Sequence, residues 1–94
     1  MNLGDGNIKY KEIEGSDSKS QSHRFLILHN DEHNLFDFVV KTLIDVCHHE
    51  PEQAEQCTLI VHYKGKCDIK KGSYNSLKPF KETLINKGLT VTID

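Results

Sequence analysis

Apolar residues are spread unevenly along the chain. Up to Ser22 they are sparse, with Leu3, Ile8 and Ile13 standing among Gly4, Gly6, Gly15, Ser16, Ser18, Ser20 and Ser22. Such a stretch offers little surface to bury, so residues 1–22 are expected to form a flexible N-terminal arm and residues 23–94 the folded domain. Arg24–Leu28 (RFLIL) is a short apolar run with the composition of a strand. The polar group His29-Asn30-Asp31-Glu32-His33-Asn34 follows, and Asp31 or Asn34 can cap a helix behind it. From Leu35 to Cys47 the apolar residues Phe36, Val39, Val40, Leu43 and Val46/Cys47 recur at steps of three and four, which predicts an amphipathic helix. Asp37 in its first turn suits the helix dipole.

Pro51 bars Glu50 from continuing that helix and is itself well placed to open another. The second helix carries Ala54, Cys57, Thr58 and Val61 on adjoining faces and should stop at Gly65. Lys66–Lys71 alternates charged and apolar residues as a half-exposed strand does. Gly72-Ser73 reads as a turn. A third helix is predicted over Ser76–Asn86, with Pro79 in its first turn and Leu77, Phe80, Leu84 and Ile85 on its apolar side. Leu89–Ile93 (LTVTI) closes the chain as an alternating strand. The order β-α-α-β-α-β, with helices on one face of a small three-stranded sheet, is a two-layer α+β sandwich.

Length and composition narrow the function. Ninety-four residues allow one small domain. The longest unbroken apolar run is Phe25–Leu28, far short of a membrane span or the core of an export signal. A net charge of -2 argues against a nucleic-acid binder that works by bulk charge. Cys47, Cys57 and Cys67 are odd in number and lack an export signal, which fits reduced thiols in a cytoplasmic protein.

Six histidines raise the question of metal. The cysteines lie ten residues apart, unlike the tight ligand pairs of zinc sites, and His48 and His49 diverge on a helix. They read instead as exposed histidines at a helix end, and no metal or cofactor is expected. Cys57 and His62 are five residues apart and project about 140° from each other on one helix. With no glycine-rich oxyanion loop and no orienting third group, no catalytic residue is assigned and no enzyme is expected. Charge is more telling. Between Asp31 and Glu55 lie seven acids and one lysine, and after Tyr63 seven lysines and three acids. An acidic mouth of this kind suits a cationic ligand group better than a phosphate.

Four segments, His29-Asn30-Asp31-Glu32, Phe38-Val39-Val40, Gln53-Ala54-Glu55-Gln56 and Val61-His62-Tyr63-Lys64-Gly65-Lys66, together resemble the ClpS family over roughly residues 24–94. ClpS proteins are adaptors of the ATP-dependent Clp protease, and their fold has the element order read above. The resemblance implies a protein that binds substrates by a bulky apolar N-terminal residue, an N-degron, and delivers them to a AAA+ Clp unfoldase with help from a flexible arm. It implies that Asn30, Asp31 and His62 hold the free α-amino group. By position it also implies a pocket for the apolar side chain lined by Glu32, Asn34, Phe36, Val39, Thr58, Val61 and Thr90. The alternative is a module of the same fold that docks on a Clp unfoldase without reading N-termini.

Physical chemistry is consistent with the implied clamp. An α-ammonium has three N–H donors, and an asparagine oxygen, a carboxylate and a neutral imidazole nitrogen are three acceptors. The chain departs from the family in Phe36 and Thr58, where methionine is common, in Leu35, where proline is common, in Asn34, where threonine is common, and near Thr90, where leucine is common. The region after Lys66 also differs in length from longer members. A phenylalanine at the pocket rim is expected to exclude ligand side chains branched at Cβ. Threonines opposite it are expected to make the floor roomier and slightly polar, favouring tyrosine.

Overall fold

A computed structural model describes residues 23–94; the arm expected over residues 1–22 lies outside the described residues. Three strands and three helices follow in the order β1 (Arg24–His29), α1 (Phe36–Cys47), α2 (Pro51–Lys64), β2 (Lys66–Gly72), α3 (Tyr74–Asn86) and β3 (Thr90–Ile93). The strands form one antiparallel sheet in the order β2-β1-β3. The α+β architecture and its element order agree with the pattern of the sequence.

The core lies between the sheet and the helices. Leu26 and Leu28 of β1, Ile69 of β2 and Val91 of β3 pack with Leu43, Ala54, Val61, Leu77 and Leu84. Alternation along β1 and β3 sends one set of side chains to this side and the other set away from it. His29 and Thr90 are paired in register on the far side, and His29 Nε2 lies 2.7 Å from the Thr92 hydroxyl there. All four residues predicted to face inward from α2, Ala54, Cys57, Thr58 and Val61, are buried.

Gly65 ends α2 in the left-handed conformation at φ 96°, where a residue without Cβ is unstrained. Two sulfur-bearing residues, Cys47 at the end of α1 and Cys57 in α2, belong to the core, with Cys67 of β2 packed against it. Burial, together with contact with the Cys57 thiol, pushes Cys67 up to about 12, and burial raises Cys47 as well.

Three local expectations are corrected. Neither Asp31 nor Asn34 caps α1: Leu35 holds the N-cap position and makes no side-chain cap bond. Asp31 instead accepts from the His33 and Asn34 amides ahead of the helix. The third helix begins two residues early, at Tyr74, because the Ser73 side chain accepts from the Ser76 amide at 3.1 Å and caps it. Pro79 is therefore in the second turn, where it cannot donate to the carbonyl four residues back.

Finally, His49 is buried rather than exposed. His48 adopts the left-handed conformation at φ 60° and turns the chain inward. His49 Nε2 then donates to the Ile69 carbonyl at 2.8 Å. The β1–β2 register slips beside Ile69, between the pairs Leu26↔Lys70 and Ile27↔Asp68, so the imidazole satisfies a carbonyl at the bulge.

Candidate functional site

The site forms where the end of β1, the C-terminus of α2 and the start of β3 converge. Gly65 turns the chain back after α2 and accepts the Asn30 amide at 2.8 Å. This single backbone bond fastens the 30–35 loop to the helix end that carries His62. The loop is held from within by one carboxylate. Asp31 Oδ1 accepts from the amides of His33 and Asn34, both at 3.0 Å, and the Asn34 side-chain amide reaches both carboxylate oxygens, at 3.2 and 3.0 Å. The same Asn34 nitrogen donates to the Gly88 carbonyl at 2.9 Å, tying the loop to the turn between α3 and β3.

Burial alone would raise the Asp31 pKa. The His33 amide, then the side chain and amide of Asn34, outweigh it and hold the carboxyl below the ordinary aspartate value. Asp31 is thus a fixed negative charge whose Oδ1 is spent on the loop. Its Oδ2 faces the Asn34 amide and, at 3.5 Å, the Thr90 hydroxyl. By contrast, the side chains of Asn30 and His62 have no hydrogen-bond partner among the described residues, although the His62 ring meets Tyr63 edge-on at 5.0 Å.

A cavity of about 500 Å³ opens beside these groups. Asn30, Asp31 and His62 line it, as do Glu32, Asn34, Phe36, Val39, Thr58 and Val61. Nine of the ten residues singled out in the sequence therefore share one cavity. Thr90 is the exception: it does not line the cavity, and its neighbour Leu89 does. Strand alternation accounts for the exchange between neighbours, since the chain at β3 buries Leu89 and Val91 on one face and leaves Thr90 exposed on the other. Phe36 is 40 % exposed and sits at the rim rather than in the core. Thr58 is buried, and its hydroxyl donates to the Ala54 carbonyl at 2.7 Å. With Thr58 bonded back to its own helix and Thr90 turned away, the expected polar floor is largely absent.

Leu35, Leu59 and Tyr63 line the cavity although sequence reasoning had passed over them, as do Leu28, His29 and Leu89. A signal existed for Leu35, an apolar residue at a position that favours Ser, Thr, Asp or Asn. Another existed for Leu59 and Tyr63, which share a helix stripe at four-residue spacing. Chemically, the arrangement offers two uncommitted acceptors beside a fixed carboxylate, next to an apolar cavity. Among the described residues no group of three or more His, Cys, Asp or Glu is placed to hold a metal ion.

The model of the family described as "ATP-dependent Clp protease adaptor protein ClpS" matches residues 19–92. The chain belongs to the ClpS family. It is a Clp protease adaptor by that membership, of a family that partners Clp unfoldases and is not itself a protease. Among solved structures, the chain resembles Agrobacterium tumefaciens ClpS2 bound to L-phenylalaninamide, with a TM-score of 0.67 and 16 % identity over 79 % of this chain and 96 % of that one. At that identity the likeness speaks for the fold, and the two share the ClpS architecture. No curated protein matches the sequence. No helix among the described residues is long and apolar enough to cross a membrane.

Proposed function

We propose that this ClpS-family adaptor binds proteins by a free N-terminal residue with a bulky apolar side chain and hands them to a AAA+ Clp unfoldase. One observation carries the reading: the side chains of Asn30 and His62, without hydrogen-bond partners among the described residues, line the same apolar cavity as the ionised Asp31. Asn30 Oδ1 and a neutral His62 nitrogen accept two N–H bonds of the α-ammonium, and Asp31 supplies the countercharge and a third, partly used acceptor. Each charge-assisted bond is worth about 1.5–3 kcal/mol, and burying a Leu or Phe side chain adds a similar amount. After the entropy of association, affinities in the micromolar range follow.

The side chain enters between Val39, Thr58, Val61 and Leu89, with Phe36 at the rim and Glu32 and Asn34 beside the clamp. A phenyl ring there is stiffer than the thioether common at this position in the family, and it crowds a ligand branched at Cβ. Support for the ligand class comes from ClpS2 of Agrobacterium tumefaciens, which binds L-phenylalaninamide, an amino-acid amide with a free amine and an aromatic side chain.

A titration with peptides that differ only in their first residue tests the reading. Phe, Tyr, Trp and Leu are expected to bind and Ile and Val to bind poorly. Equal affinity for all first residues, Ser and Gly included, would contradict it and favour an adaptor that docks on the unfoldase without reading N-termini.

A further inference from the structure

We propose that the mouth of the cavity is a second subsite that takes an apolar side chain at the second position of the bound peptide. This rests on the reading that the cavity receives a free N-terminus.

The large apolar residues left most open to solvent among the described ones are Tyr63, 78 % exposed, and Leu35, 77 % exposed; the others lie between 36 and 46 %. Both line this cavity, and so does Leu59, one helical turn before Tyr63 on the same stripe of α2. Folding accounts for neither exposure. Leu35 occupies the N-cap of α1 without a cap bond, a position where a small polar residue stabilises the helix. Tyr63 lies in the last turn of α2 and takes no part in the core. Two helices thus each spend an apolar side chain on the same opening.

Volume and charge identify the occupant. About 500 Å³ falls in the range that encloses a drug-sized ligand, more than one amino-acid side chain requires. Tyr63 directly follows His62, so the apolar wall begins one residue from the clamp. A peptide held by its ammonium at Asn30 and His62, with its first side chain directed toward Val39 and Thr58, carries its second Cα only about 3.8 Å further on. That residue lies at the mouth. Among the described residues, the carboxylates lining the cavity are Asp31 and Glu32, and no lysine or arginine lines it. An acidic second residue is repelled there, and an apolar one gains contact with Leu35, Leu59 and Tyr63.

The test is a binding titration with free-amine peptides Phe-Leu-, Phe-Ser- and Phe-Asp- on a common downstream sequence, using the full chain. Wild type is expected to bind Phe-Leu- about tenfold more tightly than Phe-Ser-, with Phe-Asp- weaker again. In Leu35→Ser combined with Leu59→Ala, the ratio of Phe-Leu- to Phe-Ser- affinity is expected to fall to about twofold or less. Leu35→Ser also installs a helix cap, so the single variant should melt at a higher temperature than wild type, which separates lost selectivity from lost folding. A wild type that binds Phe-Leu- and Phe-Ser- equally overturns the subsite and leaves N-terminal recognition standing. A double variant that keeps the full preference overturns the assignment to these residues. A wild type that binds none of the three overturns N-terminal recognition and the subsite together.

Discussion

Strand β2 passes into α3 through one residue, Ser73, whereas β1 passes into α1 through six, Asn30–Leu35. The short connection follows the rules of helix initiation. Ser73 caps the Ser76 amide, and the Ser76 hydroxyl returns a bond of 3.0 Å to the Ser73 carbonyl. The chain approaches so closely that a Cβ on Gly72 would stand 2.6 Å from the Ser76 hydroxyl oxygen. The long connection breaks those rules. Its helix starts on an exposed leucine without a cap, and its polar residues are bonded to one another and to Gly65 and Gly88 instead. A loop that draws much of its shape from one carboxylate, and keeps the Asn30 side chain uncommitted, is poor economy for folding but well suited to binding. Departures from local consistency of this kind collect where a protein works on something other than itself.

The largest effect should come from removing the carboxylate. Asp31→Ala should weaken binding of a Phe-initiated peptide by about 1.5–3 kcal/mol, roughly 10- to 150-fold, because it removes the countercharge and releases the His33 and Asn34 amides together. Asp31→Asn, which keeps the shape and loses the charge, adds a pH signature in thermal melts. The folded state holds Asp31 below its ordinary pKa, so its contribution to stability is complete above the unfolded value near 4 and is lost as the pH falls through the folded one. The gap in melting temperature between wild type and Asp31→Asn should therefore narrow as the solution is acidified below pH 4. A gap that persists unchanged would mean that the charge on Asp31 contributes nothing to the loop.

The short connection should give the opposite pattern and a smaller effect. Ser73→Ala should cost about 1 kcal/mol of stability and lower the melting temperature by roughly 4–8 °C, with peptide affinity unchanged. Loss of binding in Ser73→Ala at a temperature where the variant is fully folded would show that the two connections are coupled rather than separate in purpose.

The fold was legible because its signals are local and agree with one another. Pro51 and Gly65 bracket α2, the three- and four-residue steps of Phe36, Val39, Val40 and Leu43 mark α1, and LTVTI alternates. The misplaced start of α3 came from weighting Pro79 above the Ser73 cap, since a helix packed through Leu77 and Leu84 tolerates one missing bond. The buried His49 was illegible because its partner, the Ile69 carbonyl, is freed by a bulge that no periodicity announces.

For the site, nine of ten residues could be gathered into one cavity because the resemblance places them. The tenth was readable from physics alone: the alternation that puts Val91 inward puts Thr90 outward and leaves Leu89 to face the cavity. Asn34 was assigned to the pocket, yet its bond to Gly88 spans fifty-four positions and leaves no trace in local spacing. Nor could the sequence show that the Thr58 hydroxyl folds back on Ala54, which withdraws the polar floor expected to favour tyrosine.

The central claim is that the uncommitted acceptors beside Asp31 take up a free α-ammonium. Two peptides identical except for acetylation of the N-terminal amine, both beginning with Phe, test it directly by titration against the wild-type chain. Acetylation removes the positive charge and two of the three donors while leaving the aromatic side chain intact. The free peptide is expected to bind in the micromolar range and the acetylated one to show no measurable binding. Equal affinity for the two would contradict the account, because the cavity would then read the side chain without reading the terminus.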